Sequence, residues 1–519
     1  MKFLSPEPQV TLYKAFPNAF KSIISAGRTC YSSRGIITDE QLEPIEKWLP
    51  LAQSMYEAGH HTNFQHAHFQ FQLGNISRQS VWSFLHSHPF YNSEQVSQRY
   101  VEVKPGNIAI PPLVGEALAL YTSTINFQVE AYHTLIRLLI PITTEEYFKR
   151  FPARQNSEEG YQKNIKKKCQ EIARYILPIA TFACMYHTIS GITLLRYYRL
   201  CEQFDAPLEQ RIIVQKMVDE LLRVEPMYKN ILQEPIALEE TPEYEFFTNH
   251  YHPTDILSSR KIFCDEFDRS LTGRVSKLVD YKHHNEAILA QSVREVLGIP
   301  QSDMNDDDAI ELVLHPAKNR LLGETLTLTT QSKLSRTMVH PFYTFRRKIS
   351  HTADSQDQRH RMTPASRPCL HTHFSGEPDY IIPEILKRDD KALKFYTEAM
   401  DQVWSAINTL KNSHGVSDEF ALYLLPNAVS IRYTESADLL NLHHKLKMRL
   451  CYNAQEEIWK ASLDEAEQIC EVNPRIGKYL LPPCSIRDLA GIQPPCPEGN
   501  RYCGIKVWKL DISEYERVI

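Results

Sequence analysis

Apolar and polar positions divide the chain into two similar runs. In the first, Leu12, Ala15, Phe16, Phe20, Ile23 and Ile24 recur at helical spacing over 12–28, and Pro17 marks where regular turns begin. Leu42, Ile45, Trp48, Leu49 and Leu51 predict a second helix over 40–57. From His66 to Leu73 the apolar residues Ala67, Phe69, Phe71 and Leu73 alternate with polar ones, the pattern of a half-buried strand. Residues 79–85 read as helical. Leu113, Leu118, Leu120, Ile125, Val129, Leu135 and Ile136 predict a long helix over 112–148. Residues 155–170 are polar, and Lys166–Lys168 read as a solvent-facing run. Helical spacing returns over 190–203 and continues to about 224.

After a mixed connection over 235–274 the pattern restarts. Leu278–Tyr281 and a helix over 284–297 mirror the opening. Leu334-Ser-Arg336 mirrors Ile76-Ser-Arg78, and Asp357-Gln-Arg-His360 mirrors Ser97-Gln-Arg-Tyr100. Leu424-Leu-Pro-Asn-Ala428 mirrors Ile176-Leu-Pro-Ile-Ala180. Landmarks recurring in one order imply two diverged copies of an α+β domain, each a sheet with flanking helices. The expected boundaries are 1–234 for the first domain, 235–274 for the connection, 275–478 for the second domain and 479–519 for a C-terminal extension.

With 519 residues the chain exceeds one ordinary core. A net charge of −5 and a pI near 6.5 give no general attraction to nucleic acid or anionic membrane. Mean hydropathy is −0.38, no apolar run reaches membrane-spanning length, and the opening residues lack a signal-peptide core. Eleven cysteines without dense pairing suit a reducing cytoplasm.

The densest chemistry lies at 94–100, where Glu94, Gln95, Ser97, Arg99 and Tyr100 fall together. An arginine fork beside hydroxyl and amide groups suits an anionic, hydrogen-bonding ligand such as a nucleotide. Upstream come Ala26-Gly-Arg-Thr-Cys-Tyr-Ser-Ser33, Gly59-His-His-Thr-Asn-Phe-Gln-His-Ala-His68 and Ile76-Ser-Arg78. This ordered series resembles the flavin-dependent thymidylate synthases. There a Gly-His-Glu-Ser/Thr turn precedes an alternating strand, a Val-Ser-Arg step, an Arg-His-Arg triplet and Ser-x-Arg-Tyr. His444-Lys-Leu-Lys-Met-Arg-Leu450 and Asn453-Ala-Gln-Glu-Glu-Ile458 are similar to the family's C-terminal helix signature.

The resemblance implies an α+β fold, bound FAD, and methylation of dUMP with methylenetetrahydrofolate as carbon source and NADPH as reductant. It implies sites built from several subunits of a homotetramer, which two fused chains could mimic as a homodimer. Carried over by position, Ser97 and Arg99 match the nucleotide-binding, catalytic pair. Glu94, Gln95, Tyr100, Arg174, Arg359 and Arg449 join them around the substrate. His60, Thr62 and His444 match positions beside the flavin. The triplet itself is His86-Ser87-His88 here. Protonated histidines could still donate, and Arg346-Arg347 lies near the triplet's expected place in the second copy.

The losses are complementary: Cys201 stands where the second copy has Arg449, and Leu422 where the first has Arg174. A composite site would draw Gln95, Ser97 and Arg99 from one copy and Arg449 from the other, with a reciprocal site pairing Arg359 and Arg174. Two other readings stand beside this one. One is a non-catalytic nucleotide- or flavin-binding relative, the other an enzyme acting on another pyrimidine nucleotide. Cys484, Cys496 and Cys503 in the extension suggest metal ligation, with Cys470, Cys369, His371 or His373 to complete four ligands. The spacings are not those of a standard finger, and free buried thiols are the commoner reading of such cysteines.

Overall fold

A computed structural model describes residues 2–87, 89–99, 101–103, 106–203 and 205–519, without the side chains of residues 153 and 156–158. The first half runs β1 (Gln9–Ala15), α1 (Ala19–Thr29), α2 (Leu49–Glu57), β2 (His68–Ser77), a helical stretch over 78–85 and β3 (Asn92–Gln95). It continues with α3 (Gly115–Arg150), α4 (Glu158–Ala173), β4 (Phe182–Ser190), α5 (Gly191–Arg199) and α6 (Pro207–Val224). Helix α7 (Ile256–Ser270) lies in the connection. The second half contains β5 (Ser276–Tyr281), α8 (Asn285–Leu297), α9 (Asp306–Leu314), β6 (Phe342–Ser350), α10 (His351–Asp357), β7 (Ala365–Ser366) and α11 (Asp390–Asn412). Then come β8 (Ser430–Asp438), α12 (Leu439–Arg449), α13 (Glu456–Val472) and α14 (Pro483–Leu489).

The strands form two antiparallel sheets of equal order, β1-β2-β4-β3 and β5-β6-β8-β7. Each first strand carries a register shift at the same place, between Leu12 and Lys14 and between Leu278 and Asp280. The duplication is thus a matter of topology as well as sequence.

Several expectations are corrected. The first seven residues of the expected helix over 12–28 fall mostly in β1 and the turn after it. Strand β1 lies at the sheet edge, so its apolar residues are only partly buried and do not alternate cleanly. The helix expected over 40–57 is two 3-10 turns followed by α2. Strand β4 went unread because both its faces are largely covered, which blurs the two-residue period. The run 155–170 is not simply solvent-facing: Ile165 and Cys169 of α4 are fully buried.

Two serines tie the halves together and set the frame for the site. Ser77 caps the stretch over 78–85 by accepting from Ser80 N–H at 3.0 Å, and Ser350 caps α10 by accepting from Ala353 N–H at 3.1 Å. Ser77 donates through its N–H and hydroxyl to Glu209 of α6, and Ser350 does the same to Glu457 of α13. Each buried carboxylate also accepts a tyrosine hydroxyl from the opposite half, Tyr423 to Glu209 and Tyr175 to Glu457, both at 2.5 Å. Around this pair the main chains cross-link: Ile179 N–H donates to Leu425 O and Asn427 N–H to Leu177 O, each at 2.8 Å. The mirrored Leu-Pro segments are therefore each other's partners. The largest core is common to both halves, with Trp82, Tyr132 and Leu135 packed into one cluster with Ile349, Met400 and Trp404.

Candidate functional site

The paired caps give a structural ruler. Counting nine residues from Ser77 reaches His86 (86 − 77), and counting nine from Ser350 reaches Arg359 (359 − 350). Arg359-His360-Arg361 therefore stands where the triplet is expected in the second half. Arg346 and Arg347 do not. Arg347 lies within β6, fully buried in a charge cluster with Asp357 at 2.5 Å, Glu435 at 3.4 Å and Glu465 at 3.3 Å, where Lys445 also meets the carboxylates. Arg346 lies 5.8 Å from the Phe267 ring. The mirror between Leu334-Ser-Arg336 and Ile76-Ser-Arg78 fails as well, since Ser335 sits in a 3-10 turn before β6.

Strand pairing provides a second ruler. Ser93 of β3 lies opposite His187 and Ala365 of β7 opposite Glu435, each of these three residues before its helix cap, Ser190 or Asp438. Four and six residues on, Ser97 and Arg99 correspond to Cys369 and His371, not to Asp357 and Arg359. The first count thus falls on Arg-His-Arg in the second half, and the second count falls on Ser-x-Arg in the first.

The two remnants meet. Arg359 donates to Ser93 O at 3.3 Å and pairs with the Glu94 carboxylate. Arg361 donates to Tyr91 O, with its guanidinium 5.4 Å from the Tyr91 ring. Tyr91, Arg359 and Arg361, with His360, His68, Arg196 and His444, line a cleft of about 540 Å³ between the halves. The His360 and His444 rings lie 5.9 Å apart. Burial pushes both imidazoles down, with Arg449 acting further on His360 and Lys447 on His444. His86 stacks on Tyr91 at 4.6 Å, and burial holds it well below the ordinary histidine range. His88 and Tyr100 lie outside the described residues. His60 and Thr62 sit on an exposed turn away from this cleft, whereas Gln65 and His68, just downstream, line it.

A second cavity, of about 650 Å³, lies beyond the Ser97–Arg99 loop. Arg99 pairs with Glu171 and donates to Asn453 O of the second half at 3.0 Å. Its own N–H donates to Ser97 Oγ at 3.2 Å. Gln98 accepts from Asn427 at 3.2 Å, so Gln98 and Arg99 both rest on the second half. Arg174 donates to Glu171 O at 3.1 Å, and its Nη2 is buried without a partner. Gln95 Oε1 is likewise buried and unpartnered. Burial pushes Glu171 up, but Lys168, Arg99, Arg174 and Arg517 outweigh it and bring the carboxyl down to about 2. Arg449 donates to Asp357 at 3.1 Å and to Gln356 O at 2.7 Å. Burial lowers its pKa, Asp357 raises it, and the nearby charges of Arg359 and Arg99 lower it again.

Arg99, Arg174 and Arg449 are thus gathered around one locus. Arg174 keeps company with Arg99 and Glu171, so the reciprocal pairing of Arg174 with Arg359 does not occur among the described residues. The sequence reading missed Arg517. Its Nε donates to Ile519 O at 2.9 Å, while Nη1 and Nη2 are buried without partners beside Arg99 and Glu171. The extension lies beyond any family pattern and offered no signal for it. Lys168 was hidden in the lysine run.

The family described as "Thymidylate synthase complementing protein" matches residues 11–227 and again 277–475. Among curated relatives, the flavin-dependent thymidylate synthase of Saccharolobus solfataricus is 31% identical over 224 residues, covering 41% of this chain and 78% of that protein. That of Clostridium tetani is 27% identical over 224 residues, covering 42% and 84%. That of Geobacter sulfurreducens is 29% identical over 186 residues, covering 35% and 75%. Among the described residues no helix is long and apolar enough to cross a membrane.

Proposed function

The chain belongs to the family of thymidylate synthase complementing proteins, and on that premise we propose that it converts dUMP to dTMP. Methylenetetrahydrofolate is the carbon source, NADPH the reductant and FAD the flavin, at a site assembled from both repeats. The observation that carries this reading is the crossing of basic side chains between the repeats: Arg359 of the second reaches Ser93 and Glu94 of the first, and Arg99 of the first reaches Asn453 of the second.

The residues fit both ligands. In the cleft, Arg359 and Arg361 are permanent cations for flavin phosphates. His360 and His444, kept neutral by burial, act as hydrogen-bonding partners, and His444 Nδ1 is buried without one. The chemistry supplied by a bound flavin is hydride transfer. Ser97, Arg99, Arg174 and Arg449, with Arg517 from the extension, converge on the nucleotide phosphate. Crowded guanidiniums with orphaned Nη atoms are relieved by a dianion. Gln95 Oε1 is an open acceptor for a pyrimidine N–H. Complementary losses leave one kind of site per chain, and two chains then stand for the family's tetramer.

The test is direct. FAD-loaded protein given dUMP, methylenetetrahydrofolate and NADPH is expected to release dTMP, and failure to take up FAD or to form dTMP would refute the reading. Flavin and nucleotide binding with no turnover would favour a binding relative. Turnover of another uridine nucleotide in preference to dUMP would redirect the substrate. Arg99→Ala should weaken dUMP binding at least tenfold while leaving FAD retention intact, and Arg359→Ala should do the reverse. Equal losses from both variants would count against two adjoining subsites.

A further inference from the structure

Four cysteines close around a small void beside this site. Cys451 lies two residues beyond the end of α12, Cys484 lies in α14, and Cys496 and Cys503 flank the 3-10 turn Gly499–Arg501. All four are free thiols lining one cavity of about 20 Å³, walled otherwise by Pro482, Pro483, Pro497 and Val507. That volume holds a single ion or water and no organic ligand. The extension around it is poorly equipped to hold itself. Beyond α14 its described helices are single 3-10 turns, and the buried apolar side chains of that part larger than alanine are Val507 and Tyr515, packed on Tyr452, Ala454 and Trp459. Segments with so little core are commonly stapled by a disulfide or a metal.

We propose that Cys451, Cys484, Cys496 and Cys503 bind one structural zinc ion that fastens the C-terminal extension to the end of α12. Four sulfur ligands and a closed shell are the mark of a structural tetrahedral site, and softness of the thiolates selects zinc over oxygen-seeking cations. Cys369, His371 and His373, candidates from the sequence, are not part of it. Cys369 and His371 instead approach Asp205, and these are the only described residues to bring three ligand atoms within 4.8 Å of one another. Asp205 is already engaged, accepting from Leu370 N–H at 2.5 Å and from the Ser83 hydroxyl at 2.9 Å. The four tail thiols are set more widely, and ligation at about 2.3 Å would draw them inward. Zinc here would also hold Arg517 against Arg99, since Cys503 and Arg517 border the same cavity.

The experiment is metal analysis of the full-length protein purified without chelator. About one equivalent of zinc per chain is expected, falling close to zero in Cys484→Ser and in Cys503→Ser and unchanged in Cys369→Ser and Cys470→Ser. Should a variant fail to fold, alkylation of the wild type decides. Four thiols are expected to be protected until a chelator releases the metal, and cobalt substitution is expected to give the intense absorption of thiolate ligation. No metal in the wild type, iron in its place, disulfides among the four cysteines, or zinc lost only in Cys369→Ser would overturn the proposal.

Discussion

Glu171 shows how a single carboxylate steadies a crowd of cations. Its side chain is 10% exposed, and it pairs with Arg99 and, at 3.7 Å, with Lys168. Because its folded pKa is depressed from an ordinary 4.5 to about 2, its contribution is fully present above the unfolded value and is lost as pH falls towards the folded one. The difference in unfolding free energy between wild type and Glu171→Gln should be on the order of 3 kcal/mol above about pH 5 and shrink between about pH 4.5 and 2. Urea titrations across that range test it, and a difference independent of pH would contradict it. Arg99, Arg174 and Arg449 could be found in the sequence because each sits in a local motif. Arg359 was found but misassigned. Its register is fixed by the distance from Ser350, and that cap looks like any other serine until Glu457 is seen beneath it. Arg517 reaches the site only by folding of the extension, which no local pattern encodes.

At the level of elements, the alternation of Phe69, Phe71 and Leu73 disclosed β2, which is covered on one face, while β4 and β8 at the sheet centres stayed hidden. What the pattern could not show is how strand ends are fastened. Ser77 and Ser350 each finish a central strand, cap a helix and satisfy a buried glutamate whose pKa burial has raised. Removing either hydroxyl takes away a cap and leaves part of a buried carboxyl unpaired. Ser77→Ala and Ser350→Ala should each cost about 2–4 kcal/mol. Chemical denaturation measures this. A cost below about 0.5 kcal/mol in both would mean the shared geometry is incidental.

For the whole molecule, the halves behave as one body. The core passes through both, and Glu209 and Glu457 each accept a hydroxyl from the opposite half. Residues 1–234 or 275–519 produced alone are therefore expected to aggregate or remain unfolded, and to recover solubility when co-expressed. Size-exclusion chromatography and circular dichroism would check this, and a well-folded monomeric half would exclude it. The repeat was legible in the order of landmarks. The exchange of Leu-Pro main chains across the junction was not, because a hydrogen bond between backbones leaves no trace in residue identity.

The contacts of Arg359 with Ser93 and of Arg99 with Asn453 are both made within one polypeptide. A pocket shared between separate subunits comes apart as the protein is diluted, but one closed by a covalent linker does not. Covalent fusion therefore makes this grouping of basic side chains insensitive to concentration. It also means that chains disabled at Arg99 and chains disabled at Arg359 should fail to rescue each other when mixed.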